Sequence, residues 1–412
     1  MTDPRAAELG VRGVAVVGAA YLVQGLIAAL GALLQFRLAL LGVSLEEQGG
    51  ILASGAIPWV LKAALAVLLD LGPSWPLRVR ALLLSAVQAL AAVCVWALAQ
   101  VFVDGAPSSV MAVALGWFLL NLCAATQDVI VDALALDTLA DRRPATATAM
   151  GGGVALGFYV LGMWIVGARV DAVGMRAGLG WPVAWIAALA LLPMILLWKP
   201  GRPIKARERA KGRLPSGREL LKLLWIPPLF VALTLAGNVT SAVSFVFLIG
   251  ELGWDFSSFF AHVIPVAGVA SLLGALAWGP LVSKLGPARA GLIGSALLGL
   301  VWIGFAAAEP LWSQRATIMT LAGGEGLLQS AMMVALHALA LVAAARTPLP
   351  TTAFVLAMAS LNLSRVLGPL VASPAAELGW AGLFAGCGLL QLLASAGVLP
   401  LRSQQRGASE EG

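Results

Sequence analysis

The sequence predicts an all-α, polytopic membrane protein of twelve transmembrane helices in two pseudo-symmetric six-helix bundles. Three observations predict it. Of the 412 residues, 60% are hydrophobic and 11% charged, with a mean hydropathy of +0.94, whereas charged residues make up about a quarter of a soluble domain. No single soluble core could hide that much apolar surface. The apolar residues gather into runs of roughly 20, the length that crosses the hydrocarbon of a bilayer. Short strings also recur in the same order half a chain apart.

The spans are placed at 13–36, 49–69, 81–103, 110–136, 145–167, 181–198, 225–249, 259–281, 290–308, 316–342, 351–373 and 380–400. Met1 to Arg12 is polar, and the run from Gly13 to Phe36 is too long for a signal h-region, so it is the first span rather than a cleaved leader. Ser44-Leu45-Glu46-Glu47 has capping-box spacing for the start of span 2. Span 4 begins near Val110 and ends in carboxylates. Gly151, Gly152, Gly153, Gly157, Gly162 and Gly167 make span 5 a smooth surface, suited to close helix approach. That surface serves either static packing or sliding. Between spans 6 and 7, Lys199 to Lys222 carries nine basic residues against Glu208 and Glu219. It is expected to be a solvated linker between a bundle at 1–198 and a second at 223–412, with lipid-headgroup contact as the alternative. Asp255 can cap span 8 in the place matching Ser44. Cys94, Cys123 and Cys387 lie in apolar runs without metal-site or disulfide spacing and are expected to be ordinary core residues.

Charge fixes the expected orientation. Of the 26 Lys and Arg, 20 fall in the two termini and the 2–3, 4–5, 6–7, 8–9 and 10–11 loops. Arg37, Arg169, Arg176 and Arg315 fall on the opposite side, and Lys62 and Arg365 within spans. The positive-inside rule makes the richer side cytoplasmic, both termini included. In such a chain the net charge of +6 reports orientation and gives no support to a nucleic-acid partner. The bilayer is the surrounding partner, and the chain is expected to act as a monomer.

The halves repeat. Ile57-Pro58 recurs as Ile264-Pro265, and Ala133-Leu134-Ala135-Leu136 as Ala338-Leu339-Ala340-Leu341. Val160-Leu161-Gly162 recurs as Val366-Leu367-Gly368, and Leu41-Gly42 as Leu252-Gly253. The offsets run from 205 to 211. Common order and offset argue for an internal duplication, and two parallel six-span repeats with a site between them near mid-membrane describe the major facilitator architecture.

The most informative stretch is Thr126 to Asp137, at the end of span 4. Carboxylates are costly in hydrocarbon and usually face a protein interior or a water-filled path. Asp128 and Asp132 are four apart and share a helical face with Asn121. Asp128 lies 18 residues past Val110, about 27 Å along the helix and so near the cytoplasmic boundary. It serves either as a structural contact to Lys62 of span 2, or to Arg78 and Arg80 in the next loop, latching a gate, or as a proton carrier. Glu325 sits nine residues into span 10 and Arg365 fourteen past Thr351 in span 11. Those positions put them about 13 Å from one face and about 21 Å from the other, hence at a similar depth. Opposite charges at one level are cheaper to bury together than apart, so an ion pair is expected, with anion binding by Arg365 as the alternative.

Ala125-Thr126-Gln127-Asp128-Val129-Ile130-Val131-Asp132-Ala133 resembles the span 4 signature of the peptide and acetyl-coenzyme A transporter branch of the major facilitator superfamily, which includes the AmpG-type muropeptide permeases. Pro58-Trp59-Val60-Leu61-Lys62 with Leu68-Leu69-Asp70 is similar to that family's span 2. Ala322 to Gly326 and Ser364 to Pro369 are similar to its spans 10 and 11. The chain departs from the pattern in lacking a basic residue directly after Asp70 and in carrying Glu325 where the permeases are apolar. The resemblance implies import of cell-wall glycan–peptide fragments, or movement of acetyl-coenzyme A, with protons as the coupling ion. It also implies that Tyr21 and Gln24 on span 1, Asn121 and Gln127 on span 4, Asn238 on span 7 and Gln329 on span 10 face the substrate path. Each of them could equally be an interhelical hydrogen bond.

Symport needs an ion site whose affinity depends on the substrate, and Asp128, Asp132, Glu325, Lys62 and Asp70 are the candidates for coupling or gating. Arg365, with the amides and Tyr21, is a candidate for the substrate. His337 and His262 alone do not suggest a metal site, and no cofactor is expected. The chain has no Gly-x-Ser-x-Gly or His-Glu-x-x-His run, which argues against an enzyme, and no phosphate-binding loop for an ATP-driven pump. The expectation is a symporter-type permease of the inner membrane for a bulky polar solute such as a muropeptide. The alternatives are a carrier of acetyl-coenzyme A or a related anion, and a non-transporting assembly or receptor protein on the same fold.

Overall fold

A computed structural model describes residues 4–41, 43, 45–71, 75–103, 106–107, 109–139, 142–198, 226–254, 258–345, 347 and 349–397. The linker at 199–222, the polar tail and the expected caps Ser44 and Asp255 lie outside the described residues. The first half contains α1 (Pro4–Leu40), α2 (Leu45–Leu71), α3 (Leu77–Gln100), α4 (Val110–Thr138), α5 (Arg143–Ala155), α6 (Gly167–Gly178), α7 (Gly180–Leu189) and α8 (Leu192–Leu197). The second contains α9 (Ile226–Phe245), α10 (Ile264–Leu285), α11 (Pro287–Ala307), α12 (Arg315–Ala344), α13 (Pro350–Ala376) and α14 (Gly379–Ala396). Among the described residues, eleven helical segments are long and apolar enough to cross a membrane. Span 2 is the continuous 27-residue α2, which carries Pro58, Lys62 and Asp70.

Local chemistry explains where the helices depart from expectation. The first helix starts at Pro4 and runs through Arg12 to Leu40, so the polar N-terminal stretch extends span 1. Ser109 caps α4, its hydroxyl accepting from the Ala112 N–H at 3.3 Å. Span 5 continues from α5 through a π-helical stretch, Leu156–Val166, into α6. Gly174 breaks α6 with φ at 79°, a conformation open to glycine. Span 6, expected to be one helix, is interrupted at Ala190–Leu191 between α7 and α8. Pro193 lacks an N–H and its ring crowds the carbonyl four residues back, Leu189, where α7 ends. An antiparallel pairing of Phe102–Val103 with Ala106–Pro107 was not expected from the sequence.

Apolar side chains cover both inside and outside. Val17, Leu26, Val95, Trp302 and Phe354 are buried, while Met111 is 76% exposed and Leu393 74%. A bundle whose outer faces carry Leu90, Val93, Trp96, Leu115 and Leu276 is covered by lipid tails rather than water.

The chain divides into two compact units, Met1–Leu214 with Ala344–Val355, and Pro215–Ala343 with Leu356–Gly412. In the first, the span 5 glycines press against α1: a Cβ on Gly153 would meet the carbonyl of Gly18, one on Gly157 that of Leu22, and one on Gly162 the side chain of Ala29. In the second, a Cβ on Gly368 would meet the Asn238 backbone at 2.7 Å. Gly162 and Gly368 are the repeat-related glycines, so each unit uses the duplicated residue for the same close approach of its fifth span to its first. The second unit also holds an aromatic core, in which Phe247, Phe305, Trp312 and Phe384 meet mostly edge to face.

Candidate transport site

In the first unit the polar residues of α1, α2 and α4 converge. Asp128 and Asp132 lie one turn apart on α4, and Tyr21 and Gln24 nearly one turn apart on α1, so the two faces meet rung by rung. Tyr21 Oη donates to Asp132 Oδ1 at 2.7 Å, and Gln24 Nε2 donates to Asp128 Oδ1 at 2.8 Å. Lys62 Nζ from α2 pairs with Asp128 Oδ2 at 2.7 Å and lies 4.9 Å from the Trp59 ring centre. Lys62 is 1% exposed and Asp132 fully buried. Such burial is tolerated for a charge that is paired and hydrogen-bonded. The charges do not cancel, however: one cation faces two carboxylates. Asp132 Oδ2 is buried with no hydrogen-bond partner among the described residues.

Supporting bonds fix this cluster. Trp59 Nε1 donates to Asn121 Oδ1 at 2.9 Å, and Asn121 Nδ2 donates to the Trp117 carbonyl. Gln127 Nε2 reaches the Ala20 carbonyl at 2.7 Å. Arg80 Nη1 donates to the Ala133 carbonyl at 3.3 Å. Further along α2, the Asp70 carboxylate accepts from the backbone N–H groups of Thr351 and Thr352, at 3.2 and 2.7 Å, and from the Thr352 hydroxyl at 2.9 Å. Those amides belong to the first turn of α13, which has no intrahelical acceptors of its own. A carboxylate there satisfies them and complements the helix dipole. Ala66, Val129 and Val355 form a small apolar core beside this cap.

In the second unit Glu325 of α12 is the centre. Its Oε1 accepts from Thr240 Oγ1 of α9 at 2.8 Å, Gln329 Nε2 at 3.0 Å and Trp302 Nε1 of α11 at 3.3 Å. All three donors are neutral. A separate bond set joins α9 to α13, where Asn238 Nδ2 donates to the Thr234 carbonyl and to Ser364 Oγ, both at 2.8 Å.

The structure brings Tyr21, Gln24, Lys62, Asp128 and Asp132 into one constellation and selects Lys62 as the partner of Asp128. It does not bring Glu325 and Arg365 together: Glu325 takes its hydrogen bonds from Thr240, Trp302 and Gln329, while Arg365 is exposed and donates to Asn362 Oδ1 at 3.4 Å. Equal depth on two helices does not fix which way each side chain turns. Residue reasoning missed Trp59, Thr240, Trp302 and the Thr351–Thr352 cap. The available signal for the cap was a lone carboxylate at the end of an apolar span and a Pro-Thr-Thr helix start.

Apolar helices enclosing buried, mutually bonded charges, in two units that repeat one another, define a polytopic membrane carrier. The chain belongs to the Major Facilitator Superfamily, which it matches over residues 13–347. This is a family of membrane transporters rather than enzymes. A folate-biopterin transporter of Synechocystis sp. (strain ATCC 27184 / PCC 6803 / Kazusa) is 27% identical over 248 residues, 57% of this chain and 47% of that protein. The match thus spans about half the length of that relative. The human organic anion transporter MFSD10 (TETRAN) superposes with a TM-score of 0.61 at 15% identity, covering 96% of this chain and all of that one. That likeness is one of fold.

Proposed function

We propose that this protein is a proton-coupled, alternating-access importer of a bulky polar solute in the inner membrane, with both termini and the 199–222 linker cytoplasmic. The observation that carries it is the buried set Lys62, Asp128 and Asp132, in which one cation faces two carboxylates. A net buried charge is costly, and a single proton on Asp132 makes the set neutral. Proton release would leave Asp132 Oδ2 charged and undonated, and movement of α1 or α4 that opens it to water removes that cost. The protonation state and the arrangement of α1, α2 and α4 therefore bias each other, as coupling requires. Asp70 acts as the gate in this scheme, its cap holding the start of α13 against α2 until the cluster rearranges.

Two solute classes have specific support. Muropeptides follow from the span 4 signature, and pterin-bearing solutes from the relative described as a folate-biopterin transporter. The test is uptake into proteoliposomes under an imposed proton gradient, comparing an anhydromuropeptide, biopterin and acetyl-coenzyme A. Gradient-driven accumulation of any one supports the proposal. Its absence for all three would favour a non-transporting assembly or receptor role. Orientation is tested with cysteines placed at Ser216 and Ser108: an impermeant reagent on intact cells should mark only the second.

A further inference from the structure

Glu325 differs from every other carboxylate in the two clusters. Asp128 has Lys62 and Asp132 has Tyr21 and the same cation nearby, whereas among the described residues Glu325 is met only by the neutral donors Thr240, Trp302 and Gln329. All three converge on Oε1. Oε2 receives none of these bonds, yet it is not among the enclosed polar atoms that lack a partner, because Glu325 is only partly buried. Trp302 and Thr240, which hold Oε1, are themselves fully buried, at 0% and 1% exposure. The carboxylate is thus fixed by one oxygen and open at the other. Three oriented donors converge on a single oxygen, Thr240 and Trp302 from two other helices and Gln329 from one turn further along α12. The geometry is that of a presented acceptor with no counter-charge paired to it among the described residues.

Resting on the reading of this chain as a carrier of a polar solute, we propose that Glu325 is a substrate-recognition residue whose open oxygen takes an ammonium or a neutral nitrogen group bearing N–H donors on the solute. An aliphatic ammonium and the 2-amino edge of a pyrimidinone ring both supply such donors. A muropeptide offers the first and a pterin the second. Charge-assisted hydrogen bonds are the stronger kind, and a solute lacking the donor leaves the carboxylate unanswered, which is where recognition sites discriminate most sharply.

The experiment is equilibrium binding to the full-length protein in nanodiscs, with two probe pairs. Biopterin is compared with the lumazine analogue that has oxygen in place of the 2-amino group, and a tripeptide anhydromuropeptide with its N-acetylated form. Wild type should prefer the donor-bearing member of one pair by about tenfold or more, and the pair that discriminates identifies the source of the nitrogen. Glu325→Gln should reduce that preference to within about twofold, as the amide presents a neutral group of the same shape. No preference in wild type for either pair, or a preference that survives Glu325→Gln, overturns the proposal. Should the variant fail to fold, carbodiimide labelling of Glu325 in wild type replaces it: protection by the donor-bearing probe and not by its analogue supports the assignment, and equal labelling with both overturns it. Proteoliposome flux is scored separately. Discrimination without flux defeats the transport reading and leaves this site standing, while flux without discrimination does the reverse.

Discussion

The two units treat a buried carboxylate in opposite ways. In the first, Asp128 is answered from within the protein by Lys62 at 2.7 Å and by the half-buried Gln24, and Lys62, Asp128 and Asp132 are all buried. In the second, Glu325 is held, among the described residues, by neutral donors alone and stays partly exposed. The sequence is duplicated, yet the residues at these places are not: the partner of Asp132 in the repeat is His337, whose Nδ1 lies 2.7 Å from the Met333 carbonyl of its own helix. Duplication supplied the scaffold and divergence the charges. One unit holds an ion pair beside a second carboxylate, and the other a carboxylate held by neutral donors.

The hardest way to break this contrast is to remove Lys62. Lys62→Ala leaves two carboxylates in a sealed site without a cation, and breaking a buried pair on one side costs about 3–5 kcal/mol. Thermal unfolding of the purified protein should show the loss, and Lys62→Met with Asp128→Leu should recover most of it. Equal stability of the single variant and wild type would mean the pair is not buried as described.

Asp128→Asn should behave differently, because it leaves one cation and one carboxylate, Lys62 and Asp132, whose charges balance. The protein should fold and stay heat-stable. Asp132 can then no longer accept a proton without stranding Lys62, so gradient-driven uptake should fall to background. Asp132→Asn reaches the same end from the other side: with no site for the coupling proton, accumulation should be lost while substrate exchange across the membrane persists. Full accumulation by Asp132→Asn in a folded protein would remove Asp132 from the coupling role.

This contrast also separates what was legible in the sequence from what was not. The span 4 acids were readable because both sit on one helix, where a spacing of four fixes their relative direction. Span count, the glycine face of span 5 and the repeat followed from patterns along the chain in the same way. Lys62 was readable as a partner because an unpaired cation in an apolar span needs one. The Glu325–Arg365 pair was expected from depth alone, and depth along two separate helices leaves their rotation undetermined. For the same reason the sequence left Tyr21 and Gln24 as either cavity-lining residues or interhelical hydrogen bonds, and they bond Asp132 and Asp128. The break in span 6 was marked by Pro193, though a run of apolar residues conceals how a proline is absorbed.

A smaller effect is expected at Asp70. Asp70→Ala removes the acceptor for two backbone N–H groups and one hydroxyl at the start of α13. Loss of a helix cap costs about 0.5–2 kcal/mol. Thr352→Val removes only the hydroxyl bond and should cost about 0.5–1.5 kcal/mol. If Asp70 is a gate, Asp70→Ala should also raise the accessibility of cysteines placed near the α2–α13 contact. An unchanged labelling rate alongside lowered stability would make it a cap and nothing more.

The smallest stability change is predicted at Glu325, and it is the one that completes the comparison. Glu325→Gln keeps an oxygen to accept from Thr240, Trp302 and Gln329, and it removes a charge that no cation among the described residues pairs with. No partner is stranded, in contrast to Lys62→Ala, because the three donors are neutral and retain their acceptor. Thermal unfolding should therefore stay within about 1 kcal/mol of wild type, the scale of a single neutral hydrogen bond. A loss of several kcal/mol, approaching that of Lys62→Ala, would mean that Glu325 is paired with a cation after all, and the two units would then handle buried charge alike. Near-wild-type stability combined with impaired solute binding would instead place the role of Glu325 with the ligand rather than with the fold.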